Sequence, residues 1–139
     1  MSCFWKGINN GLVHLQKKPN NGIAYQNKQA KDLSIYLKSL NKIRNDVTVT
    51  VQGHSITEKQ RQENFESINT YDVEKYDKGY LCSTCDPFLI LLCQNFKCNI
   101  DHHYTGILIK YRYCGEQKVD PKTIIFCSNK KHFWFKKIK

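Results

Sequence analysis

No apolar run in this chain is long enough to cross a bilayer: the longest, Phe88 to Cys93, stops far short of the roughly 20 residues needed. Lys6, Gly7, Asn9 and Asn10 interrupt the only stretch that could serve as a secretory leader, so an intracellular, cytoplasmic setting without membrane attachment is expected. Arginine is nearly missing, with Arg44, Arg61 and Arg112 alone. Acids are few as well, 12 Asp and Glu against 22 Lys and Arg, which leaves a net charge of +10. Because that surplus is almost all lysine, it brings charge without the planar fork that reads phosphates or bases bidentately. General polyanion attraction is expected rather than sequence-specific readout. Internal repeats, low-complexity tracts and Pro/Gly-rich linkers are absent too, which excludes collagen, coiled-coil and repeat-array classes.

What is there is enough for a core. The 139 residues are 40% hydrophobic and 12% aromatic, spread along the whole length, so global disorder is excluded and one domain over residues 1–139, a monomer, is expected. Phe4, Ile8, Leu12 and Leu15 recur at helical spacing, predicting a helix over residues 3–16 that Gly7 and Gly11 weaken. After the turn cluster around Pro19 and Gly22, Ala30, Leu33, Leu37 and Leu40 predict a second helix. Val47, Val49 and Val51 then alternate with threonines as a short strand, and Thr57 with Gln60 has capping-box spacing for a third helix. Asp86 at an N-cap and Pro87 at the first helical position introduce a fourth, apolar on most sides and therefore buried. Strands follow at 107–113, 123–127 and 132–138. Helices first and a short antiparallel sheet last make the expected fold class α+β.

Two residues stand out for chemistry. Cys3 opens the first helix, where the positive end of the macrodipole favours thiolate over thiol. His132 opens the last strand, from which an imidazole could take the thiol proton and return it to a leaving amine. Spacing alone leaves open that Cys3 is a terminal bystander and His132 an ordinary surface residue.

The order of elements resembles a family. Cys3-Phe4-Trp5 running into a helix, a Leu-rich second helix, an acidic helical middle and Lys78-Gly79-Tyr80 leading into the Asp86 to Leu92 helix look like the ovarian-tumour (OTU) deubiquitinases. So do the closing strand Thr123 to Cys127, the polar turn, and His132-Phe133-Trp134. The resemblance implies a small papain-like fold and a thiol protease that cleaves ubiquitin or a ubiquitin-like modifier from conjugates, with Cys3 as nucleophile, His132 as base and no cofactor. Two positions depart from the family pattern. Met1 and Ser2 stand where Asp-Gly-Asn usually supplies the oxyanion hole, and Trp134 stands where many members carry an Asn or Asp that orients the histidine. Asn129 is a weak substitute for that orienting group.

The acids concentrate between Glu58 and Asp77, so Glu63, Glu66, Asp72 and Glu74 are expected to line the approach of a cationic modifier tail, with Trp134 also in contact with substrate. The alternative is a solvated helix face. Seven cysteines, an odd number in a chain where no secretory leader is expected, argue for reduced thiols, a metal site or one reactive thiol rather than a disulfide framework. Cys82, Cys85, Cys93 and Cys98, followed by His102 and His103, invite a zinc site, but Cys93 falls among core leucines and no metal is expected. His102 and His103 are read as exposed turn residues. Lys130, Lys131, Lys136 and Lys137 interleave with Phe133, Trp134 and Phe135, the texture of single-strand nucleic-acid binding and equally of an amphipathic strand. The second functional reading is therefore a non-enzymatic basic binding module for RNA or a protein partner, an inactive OTU relative included.

Overall fold

In the computed structural model, which describes residues 3–52 and 54–139, the frame is set by the helix that the sequence marks most strongly. Asp86 caps it, its Oδ1 accepting from the Phe88 and Leu89 backbone N–H groups at 2.9 and 3.4 Å, and Pro87 occupies the first turn. Lys97 in the left-handed region ends it. Every residue from Phe88 to Phe96 is buried, so this helix, Pro87–Phe96, runs through the interior. Three helices precede it: α1 (Cys3–Leu15), α2 (Ala30–Ser39) and α3 (Glu58–Asn69), which makes the buried one α4. The capping box at α3 is present in both directions, Thr57 Oγ1 accepting from Gln60 N at 3.2 Å and Gln60 Oε1 accepting from Thr57 N at 2.8 Å. A single 3₁₀ turn, Val73–Lys75, follows α3.

The strands are β1 (Val47–Val51), β2 (His54–Ser55), β3 (Asn99–Tyr104), β4 (Ile107–Tyr113), β5 (Thr123–Ser128) and β6 (Phe133–Ile138), forming one sheet in the order β2-β1-β4-β3-β5-β6. The class is α+β. The sheet is mixed rather than wholly antiparallel, since β3 and β5 pair parallel, Ile100 opposite Ile124 and His102 opposite Phe126. The hairpin partner β4 fills one side of β3, so the chain returning from Tyr113 has to cross back and meet β3 on its other side, in the same direction. β4 alternates inside and outside, with Ile109, Tyr111 and Tyr113 buried and Leu108 and Lys110 exposed; α1 and α4 cover the inner face. Among the described residues, no helix is long and apolar enough to cross a membrane.

β3 replaces the turn expected around His102 and His103. It is a central strand, and His102 is fully buried. Its polar side chains are stabilised by partners remote in sequence: Asp101 pairs with Arg112 at 2.7 Å, and His102 Nε2 lies 2.6 Å from Ser128 Oγ.

Candidate active site

The site begins with how closely α1 sits on the sheet. Cys3, Gly7 and Gly11 are four residues apart, so they fall on one face of the helix, and that face lies against β5 and β6. A Cβ at Gly7 would come within 2.7 and 2.9 Å of Phe133 Cδ1 and Cε1, and one at Gly11 within 2.8 Å of Phe126 Cζ. Only hydrogen fits there. The residues after the cysteine then lock the helix end. The Phe4 ring packs on Tyr80, Phe133 and Trp5 with centroids 4.1, 4.9 and 5.0 Å away. Trp5 stacks edge-on against Phe88 at 4.9 Å and donates its indole N–H to Tyr71 Oη at 3.3 Å.

His132 is held by the β5–β6 turn. Asn129 Oδ1 accepts from the backbone N–H groups of Lys131 and His132 at 2.9 and 2.8 Å, while Asn129 N donates to His132 O at 2.9 Å. Phe133, 5% exposed, anchors the next residue under α1. The result brings Cys3 Sγ and His132 Nδ1 to 3.7 Å, both side chains exposed, across 129 residues of sequence. A thiol and an imidazole at that distance can exchange a proton directly. Among the described residues, no side chain hydrogen-bonds the other ring nitrogen of His132. The Asn129 amide oxygen is spent on the turn's backbone N–H groups, and Trp134, two residues on in β6, makes no hydrogen bond to the ring among the described residues. The expected oxyanion-hole positions, Met1 and Ser2, lie outside the described residues.

Cys3 and His132 open into a cleft of about 370 Å³ between Lys78–Cys82 on one side and Ser128–Phe133 on the other. Its Tyr80 wall is tied down from behind by Asp86. That carboxylate, fully buried, accepts from Tyr80 Oη at 2.9 Å and Ser83 N at 3.2 Å besides the two helix N–H groups. Burial raises its pKa to about 6 against the opposing pull of those four donors. The same cleft holds a second thiol. Burial and the neighbouring Asp86 carboxylate push Cys82 far above the ordinary thiol range, so it stays protonated and unreactive. Cys3, exposed and beside an imidazole, is the thiol placed to react.

The acids expected along the approach are elsewhere. Glu63, Glu66, Asp72 and Glu74 are all exposed on α3 and the 3₁₀ turn, and none lines the cleft. Glu74 pairs with Lys31 of α2 at 3.1 Å, Glu66 accepts from Gln62 at 3.3 Å, and Asp72 caps the 3₁₀ turn. The wall is built instead from the segment after them, because Asp86 draws Tyr80 and its neighbours toward α1. Trp134, 44% exposed, is also outside the cleft lining. Cys93 and Cys98 are fully buried hydrophobes, and among the described residues no three His, Cys, Asp or Glu side chains come together as a metal would require.

Sequence reasoning missed His102. It lies on the inner face of β3, its ring 5.7 Å from that of Phe133, and it bonds Ser128, one of the residues lining the cleft. Burial first, and then the adjacent His103, lower its pKa to about 4, so it is neutral at physiological pH. Comparison with protein-family models, with curated proteins and with solved structures found no match to this chain.

Proposed function

We propose that this chain is a thiol-dependent hydrolase of peptide or isopeptide bonds, with Cys3 as nucleophile and His132 as general base and acid. The observation that carries the proposal is the 3.7 Å approach of Cys3 Sγ to His132 Nδ1 at the mouth of a cleft. His132 takes the thiol proton, the sulfur attacks the substrate carbonyl, and the C–N bond breaks as the imidazolium protonates the leaving amine. Water, giving a proton to the same imidazole, then attacks the thioester and releases the acid and the free thiol. The substrate class follows from the resemblance to OTU enzymes: conjugates of ubiquitin or a ubiquitin-like modifier.

The test is a ubiquitin-tail probe bearing a thiol-reactive warhead. Adduct formation on Cys3 that disappears in Cys3→Ala and in His132→Ala supports the proposal, and a wild-type protein left unlabelled by ubiquitin and ubiquitin-like probes refutes the modifier assignment. A second reading, a basic binding module, is favoured by the exposed Trp134 beside Lys136 on β6 and the exposed Lys130 and Lys131 in the preceding turn. It requires salt-sensitive RNA binding with no such labelling.

A further inference from the structure

We infer that the segment entering the Cys3 cleft carries acidic residues beside its scissile bond, read by Lys78, Lys130 and Lys131, with an apolar neighbour seated on Leu81. The inference rests on the proposal that Cys3 and His132 are nucleophile and base, and among ubiquitin and ubiquitin-like modifiers it selects those whose tail is not cationic, against the cationic tail expected from the sequence.

The charge of the cleft is one-sided. Among the described residues, its lining contains three lysines and no carboxylate. Lys78 comes from the segment before α4 and Lys130 and Lys131 from the β5–β6 turn, so two separate segments bring cations to the cleft. All three are exposed, and none takes part in the three ion pairs found among the described residues. The carboxylate behind the wall, Asp86, is buried with both oxygens engaged and offers nothing to a ligand. A cleft lined by one sign of charge concentrates the opposite sign and repels its own. A cationic tail is therefore penalised at this mouth, and an acidic one is drawn in.

Leu81 supplies the second feature. At 78% exposure it is the most exposed large hydrophobic side chain among the described residues, and it stands in the wall between Tyr80 and Cys82. Apolar contact there suits a peptide side chain. A single-stranded nucleic acid would need free aromatic faces for its bases, and the aromatic rings lining the cleft are committed to one another: Phe4 packs on Tyr80 and on Phe133. An acidic peptide fits the cleft better than an RNA.

The experiment uses three peptidyl probes with the same warhead and the same leucine, differing only in a flanking pair of residues: Asp-Asp, Ala-Ala or Lys-Lys. Second-order labelling rates at Cys3 are measured by mass spectrometry for the wild type, His132→Ala, and the triple variant Lys78→Glu, Lys130→Glu, Lys131→Glu, at low and high salt. The expected order is Asp-Asp, Ala-Ala, Lys-Lys, with at least a tenfold span at low salt that shrinks as salt rises and inverts in the triple variant. Equal rates for all three probes, with labelling still dependent on His132, overturn the acidic preference and leave the nucleophile and base standing. Labelling that ignores His132 overturns both. Protection of Cys3 by an oligonucleotide at concentrations where an acidic peptide gives none overturns the choice of peptide over RNA.

Discussion

Gly7→Ala is the sharpest perturbation of the arrangement that brings Cys3 to His132. In a free helix the change is favourable by about 1 kcal/mol, because alanine restricts the unfolded chain. Here the new methyl would sit 2.7 Å from Phe133 Cδ1, against an ordinary contact of 3.4 Å or more. The ring cannot swing aside, since Phe4, Phe126 and His102 hold it with centroids 4.9, 5.0 and 5.7 Å away. The helix has to lift by roughly 0.7 Å, the difference between the two contact distances. Cys3 lies one turn away on the same face, so its 3.7 Å contact with His132 stretches by a similar amount and passes out of hydrogen-bond reach. A misplacement of that size costs on the order of 10- to 100-fold in rate. Overpacking of about 1 to 3 kcal/mol, less the propensity gain, leaves a small loss of stability. Cys3 labelling by a substrate-like probe, with thermal unfolding followed on the same samples, measures both. Phe133→Leu in the same chain is expected to relieve the clash and recover part of the rate, a positive coupling in a double-mutant cycle. Gly7→Ala with an unchanged rate and a raised melting temperature would refute the argument that the glycine face seats the nucleophile.

Other outcomes follow from the same geometry. Cys3→Ala and His132→Ala are each expected to abolish hydrolysis of a ubiquitin-amide substrate with unfolding midpoints near wild type, because both side chains are exposed. Leu91→Ala, at a position 1% exposed in α4, is expected to cost about 2 to 5 kcal/mol in denaturant unfolding before any change in the chemistry. Replacing Glu63, Glu66, Asp72 and Glu74 by lysine is expected to leave the association rate at low salt within about twofold, as these acids lie outside the cleft; a large drop would restore them to the approach path. Acid titration separates two buried groups of opposite sign. His102, depressed to about 4 when folded, contributes stability that is complete above its unfolded value and is lost as pH falls through 4, whereas Asp86, raised to about 6, contributes stability that is complete below its unfolded value and is lost as pH rises through 6. His102→Gln is therefore expected to reduce the loss of stability between pH 6.5 and 4 relative to wild type, and Asp86→Asn to increase it.

Local signals carried most of the element order. The Thr57–Gln60 box and the Asp86-Pro87 start are chemistry within one helical turn, so they are readable without the rest of the chain. Valine alternation in β1 and the alternation around Phe133 are equally local. β3 was illegible for the opposite reason. Asn-Ile-Asp-His-His-Tyr has one aliphatic residue, and its burial depends on Arg112 and Ser128, which no window around residue 100 contains. The same holds in the site. Cys3 and His132 could be singled out by residue type and element position, yet the glycines that looked like defects in α1 are what permit its close approach. Which charged segment faces the nucleophile is decided by Asp86 holding Tyr80 inward, so a stretch rich in acids and a wall rich in lysines cannot be told apart by composition.

The central claim, that His132 activates Cys3, is tested most directly by alkylation with a small neutral reagent at neutral pH, followed cysteine by cysteine with peptide-mapping mass spectrometry. The protein carries its own reference, because Cys114 is also exposed and lies outside the cleft. The expected result is that Cys3 reacts at least ten times faster than Cys114 and that His132→Ala removes the difference while leaving Cys114 unchanged. Equal reactivity of Cys3 and Cys114 in the wild type, or a Cys3 rate indifferent to His132→Ala, would contradict the account.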